Sequence, residues 1–143
     1  MIILKNLENS LKLSNIEDIC NQLENFIKSE IKENFRKNGV VIGLSGGLDS
    51  SVTAALCVKS LGPENVLGLI LPEKESSPKS ENLAKSLANQ LGIKIETIDM
   101  TSILDAFNVY TIRENIVKKY FESFTKGCTY RLVVSQDAVI KGG

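Results

Sequence analysis

Val40-Val41-Ile42-Gly43-Leu44-Ser45-Gly46-Gly47-Leu48-Asp49-Ser50-Ser51 joins a short β-branched run, through a glycine turn, to an alanine- and leucine-rich stretch ending at Leu61. A continuous apolar run such as residues 40–44 predicts a strand buried on both faces of a parallel sheet. The almost uncharged segment from Asp49 or Ser50 to Leu61 predicts a helix packed on that sheet, stopped by Gly62-Pro63.

Reading outward, Val66-Leu67-Gly68-Leu69-Ile70-Leu71 predicts the next strand. Ser77 and Pro78 predict the cap and first position of a further helix, with Leu83, Ala84, Leu87, Ala88 and Leu91 as its apolar stripe and Gly92 at its end. Ile93 to Ile98 alternates as a strand does. This βαβαβ order from residue 40 to 98 predicts an α/β fold: a doubly wound, Rossmann-like parallel sheet with helices on both faces and right-handed crossovers. Upstream, Ser14 with Glu17 predicts a capped helix over 14–37, closed near Asn38-Gly39. Its stripe of Ile16, Ile19, Cys20, Leu23, Phe26, Ile27, Ile31 and Phe35 suits either burial within the chain or a homodimer contact. Beyond Met100 the patterns weaken to a helical turn at 102–108, a helix at 112–124 and a strand at 130–134. The 143 residues read as a single domain, incomplete at its C-terminus.

Composition narrows the function. Lysine plus arginine, 17, balance aspartate plus glutamate, 17, which gives no overall field to draw nucleic acid or an anionic membrane. No apolar run approaches the ~20 residues of a membrane span and the start is too short for a signal h-region, so the expected location is cytoplasmic. The cysteines, Cys20, Cys57 and Cys128, have no CxxC spacing and read as buried free thiols. With no histidine in the sequence, neither a Ser-His-Asp or Cys-His unit nor a histidine metal site can be built from this chain.

In an open parallel sheet, ligands bind beyond the carboxyl ends of the strands, where Ser45 to Ser50 fall. Glycines at 46 and 47 let the backbone approach an anion closely, and the following helix offers free N–H groups and a partial positive charge. Ser45, Ser50 and Ser51 add hydroxyls. Asp49 in such a loop makes sense as a magnesium ligand sharing the cation with phosphate oxygens, or as a helix cap. A Walker loop is excluded because Leu48 and Asp49 stand where its later residues would be and no lysine is present there. The glycine spacing 43, 46, 47 is not GxGxxG. Gly43-Leu44-Ser45-Gly46-Gly47 matches the nucleophile elbow GxSxG, but no histidine exists to activate Ser45.

Ser45-Gly46-Gly47-Leu48-Asp49-Ser50 is similar to the SGGxDS signature of the N-type ATP pyrophosphatases, which hold the β- and γ-phosphates of ATP while a substrate attacks the α-phosphate and pyrophosphate leaves. The flanks, including Thr53-Ala54-Ala55-Leu56, Leu61-Gly62-Pro63-Glu64-Asn65 and Pro72, resemble ammonia-dependent NAD synthetases over roughly residues 38 to 100. The resemblance implies ATP contacts from Gly43, Leu44, Ser45, Gly46, Gly47, Leu48, Asp49, Ser50 and Ser51, magnesium on Asp49, and an adenosine side at Pro72, Ser76 and Ser77. It further implies nicotinic acid adenine dinucleotide and free ammonia as substrates, and a dimer. Members of that family continue well past the equivalent of residue 143, and Arg113 and Arg131 read as surface residues instead of replacements for the family's later ligands. The rival readings are another N-type ATP pyrophosphatase, acting on a nucleotide or tRNA, and a non-catalytic ATP-binding fragment.

Overall fold

A computed structural model of the chain describes residues 15–120, which fall in two compact units divided between Ser102 and Ile103. The first unit begins with α1 (Ile16–Ser29), which widens into a π-helical turn over Glu30–Asn34. Strand β1 (Val40–Gly43) follows, then α2 (Leu48–Leu61), a 3-10 turn (Pro63–Asn65), β2 (Val66–Ile70), α3 (Pro78–Leu91) and β3 (Lys94–Thr97). Helix α4 (Thr101–Ala106) crosses the division, and α5 (Val109–Tyr120) belongs to the second unit, where it buries Tyr110 and Val117.

The strands form a parallel sheet in the order β1-β2-β3, with Val40 beside Val66 and Gly68 beside Ile95. The α/β class and the βαβαβ order are those expected from residues 40–98. One apolar core joins the sheet to both crossover helices: Leu44, Val66, Ile70 and Ile93 meet Ala54 and Cys57 of α2 and Ala84 and Ala88 of α3. The alanines explain how closely the helices sit. Ala54, Ala84 and Ala88 are at most 1% exposed, and side chains this small let a helix backbone approach the sheet. Gly68 does the same from the strand side, since a β-carbon there would come within 2.7 Å of Leu44 Cδ1.

Several local expectations change. The strand β1 is not buried on both faces: Val40 and Ile42 turn toward the core, while Val41 is 62% exposed, because both crossovers cover the same face. Helix α2 starts at Leu48, with Gly47 as its cap, so Asp49 lies inside the first turn and does not cap it. Ser77 takes the cap position of α3 but contributes its carbonyl, which accepts from Ser80 N at 2.9 Å, and its hydroxyl makes no capping bond. In the α3 stripe, Leu83 is 48% exposed while Ala84 and Ala88 carry the buried face. Asn15 is the cap residue of α1, its side-chain amide bonded to Asp18, whereas Ser14 lies outside the described residues. The predicted unbroken helix to residue 37 gives way to the wide turn, closed by Phe35 N to Glu30 O at 2.8 Å and ended by Arg36 at φ 51°. The helix predicted at 112–124 begins earlier, at Val109, and is described to Tyr120. Its remaining residues, the strand predicted at 130–134, Cys128 and Arg131 lie outside the described residues.

Helix α1 is held to α2 by packing of Ile27 against the core and by the Lys59–Glu24 pair at 3.1 Å. The Glu24 carboxylate holds the Lys59 ammonium above the ordinary lysine range. A raised folded value stabilises below the unfolded value and is lost as pH rises through the folded one, so the contribution is complete at neutral pH and disappears only in strong alkali. Lys59 is exposed, and exposed pairs contribute little. Lys59→Ala is therefore expected to leave the melting temperature at neutral pH nearly unchanged, and a differential scan against wild type checks this.

Candidate functional site: a cleft at the strand ends

The strand exits define the site. After Gly43 the chain stays paired for one more residue, Leu44 N donating to Leu69 O at 2.8 Å, and Leu44 drops its side chain into the core at 4% exposure. The backbone then turns through Ser45, Gly46 and Gly47 into α2. Gly46 takes φ 74°, the left-handed region that disfavours side chains.

A hydroxyl mesh fixes this turn. Ser45 N donates to Ser50 Oγ at 3.3 Å, the two hydroxyls lie 3.1 Å apart, and Gly47 N donates to Ser45 Oγ at 3.2 Å. Ser50 and Ser51 hydroxyls both donate to Gly47 O, at 3.1 and 2.7 Å. The amide of Ser51 also returns to Gly47 O at 3.2 Å, as the first helical bond of α2. The N–H groups of Gly46, Leu48, Asp49 and Ser50 have no acceptor among the described residues. Four donors gathered at the N-terminus of a 14-residue helix make an anion cradle. The Asp49 carboxylate is exposed and makes no bond among the described residues. Leu48, at 78% exposure, contributes its backbone to the turn and not its side chain.

Beside the cradle, reaching it at Ser45, is a cleft of about 280 Å³. Leu44 and Ser45 line one side, Ile70, Leu71 and Pro72 come from the exit of β2, and Ser76, Ser77, Ser80 and Glu81 complete it. The structure thus brings Pro72, Ser76 and Ser77 to the same cleft as Ser45. Apolar walls beside a polar floor suit a molecule with a flat apolar part and an anionic part. Ser80 and Glu81 were not among the residues singled out from sequence. The signal for them was their place in the first turn of a helix that follows a strand's carboxyl end. Arg113, in the second unit, sets its guanidinium 5.5 Å from the Tyr110 ring centre, which gives it a structural partner.

Among the described residues no group of three His, Cys, Asp or Glu side chains could enclose a metal. With those residues alone, a cation at Asp49 would complete its shell from ligand oxygens and water. Magnesium does so habitually, binding through one or two carboxylates plus phosphates, so the donor set fits that ion. No helix of the described residues is long and apolar enough to cross a membrane.

The family model described as NAD synthase matches residues 19–130. The NH(3)-dependent NAD(+) synthetase of Methanocaldococcus jannaschii is 54% identical over 92 residues, covering 64% of this chain and 35% of its own length. The protein of the same description from Coprothermobacter proteolyticus is 38% identical over 116 residues, covering 73% and 39%. The chain thus spans little more than a third of the curated relatives it matches. Among solved structures, an NMN synthetase from Francisella tularensis aligns with TM-score 0.62 and 31% identity, covering 80% of this chain and 42% of that one. An NH3-dependent NAD synthetase from Campylobacter jejuni, in complex with the nitrate ion, aligns with TM-score 0.59 and 35% identity, covering 76% and 42%.

Proposed function

This chain belongs to the NAD synthase family, and on that premise we propose that its strand-end cleft holds ATP for an ammonia-dependent amide ligase. The observation that carries the reading is the set of N–H groups of Gly46, Leu48, Asp49 and Ser50 at the head of α2, without an acceptor among the described residues, next to Ser45, which lines a cleft with Pro72, Ser76 and Ser77. The cradle would receive the β- and γ-phosphates, Asp49 would hold magnesium beside them, and the apolar wall of Ile70, Leu71 and Pro72 would take the adenosine. Magnesium supplies neutralisation of the charge that grows on departing pyrophosphate.

In the proposed reaction the carboxylate of nicotinic acid adenine dinucleotide attacks the α-phosphorus of ATP, forming an acyl adenylate and releasing pyrophosphate. Ammonia then attacks the acyl carbon, forming the amide, and AMP leaves. Holding two phosphates as one leaving group is a task of positioning and charge stabilisation, and this chain offers it without histidine. The likeness to an NMN synthetase favours one second reading, with nicotinic acid mononucleotide as the acid. The free thiols of Cys20 and Cys57 suit a reducing, cytoplasmic setting. The exposed Ile16, Phe26 and Phe35 on and after α1 are the surface this reading offers to a second copy in a homodimer.

Calorimetric titration of magnesium ATP into the chain is expected to give saturable binding that magnesium tripolyphosphate displaces. Absence of binding by both ligands overturns the proposal. Pyrophosphate release with ammonia and each of the two acids then distinguishes the acceptors, and binding without release assigns this chain ATP holding alone.

A further inference from the structure

Between Pro72 and Ser76, which both line the cleft, the chain makes one tight turn that uses one serine twice. Ser76 N donates to Glu73 O at 2.8 Å, closing a β-turn over Glu73-Lys74-Glu75-Ser76, and Ser76 Oγ accepts from Glu73 N at 3.0 Å. The backbone N–H and the hydroxyl of one residue thus hold both backbone groups of another. The turn is tied down immediately before it: Met100 N donates to Pro72 O at 2.8 Å, and Ile98 N to Ile70 O at 3.0 Å, so the exit of β3 grips the exit of β2. Pro72 and Ser76 are therefore the two ends of a rigid span, and both line the cleft.

We infer that Ser76 is a positioning residue for the nucleoside side of the cleft: its hydroxyl locks the 73–76 turn and thereby holds Pro72, the end of the apolar wall against which the base packs. This rests on the ATP reading above and gives Ser76 a role other than direct contact. The hydroxyl accepts from the Glu73 N–H and so ties the start of the turn to its end. The cradle is built from a different stretch, residues 45–51, whose bonds do not involve the 73–76 turn. Loss of the Ser76 hydroxyl should therefore loosen the grip on the nucleoside and leave the grip on phosphates intact.

Two measurements on wild type, Ser76→Ala and Ser76→Thr test this. Titration with magnesium ATP and, separately, magnesium tripolyphosphate reads the two halves of the ligand, and amide hydrogen exchange without ligand reads the turn. Ser76→Ala is expected to weaken ATP by about three- to tenfold, the range of one net hydrogen bond, with tripolyphosphate unchanged. The Glu73 amide should exchange faster in the ligand-free variant by a similar factor, and threonine, which keeps the hydroxyl, should restore both. ATP affinity lost without a change at the Glu73 amide would mean direct contact and overturns the inference. So would equal losses for ATP and tripolyphosphate, or no loss of ATP. Wild type binding neither probe removes the ATP reading itself and this inference with it, an outcome distinct from the other three.

Discussion

Gly46→Ala is expected to be the most damaging single methyl addition in the glycine turn between β1 and α2. A β-carbon at position 46 would overlap the carbonyl oxygen of Ser80 and approach Leu83 Cβ at 3.2 Å. The Ser80 carbonyl belongs to the first turn of α3 and cannot retreat without moving that helix off the core. The φ of 74° adds a left-handed penalty of roughly 1–2 kcal/mol for an L-residue. Together these predict a loss of stability above about 2 kcal/mol, equivalent to roughly ten degrees in melting temperature for a domain of this size. Gly43→Ala is the control, because a β-carbon there meets nothing within 4 Å. It should melt within a few degrees of wild type in the same thermal scan. Equal melting of wild type and both variants would show that the loop does not rest on α3.

The second large effect is on the ligand. Asp49→Ala should leave folding intact, since the carboxylate is exposed and bonded to nothing among the described residues. It should lower affinity for magnesium ATP by about 100-fold, a value of roughly 2.7 kcal/mol and in keeping with removal of a carboxylate that holds the metal. Measured without magnesium, the same variant should bind ATP no worse than wild type, because a negative charge beside the phosphates has been removed. A loss of equal size with and without magnesium would assign Asp49 to the loop's architecture and not to the metal.

These two residues show where sequence reading reached and where it stopped. Asp49 was legible as a candidate ligand because its chemistry is local: a carboxylate in an anion-binding turn is repelled unless a cation intervenes. The helix-cap alternative was also open in the sequence, and only the start of α2 at Leu48 closed it. Gly46 was legible as a turn glycine, but the contact that makes it irreplaceable, with Ser80, lies 34 residues away in sequence and follows from how α3 settles on the sheet.

By itself the sequence determined the order of strands and crossover helices from 40 to 98, their glycine ends, and the cradle from 45 to 51. Each of these follows from periodicity, turn chemistry or a few adjacent residues. Tertiary structure alone decided that Leu44 goes to the core while Leu48 stands in solvent, and that Val41 is exposed on a strand that reads as wholly buried. It also brought Ser80 and Glu81 to the cleft beside Ser45. Such outcomes depend on which face of the sheet the two helices cover. That choice is made by the handedness of the crossovers and the close packing of Ala54, Ala84 and Ala88, neither of which is written at the position whose exposure it sets.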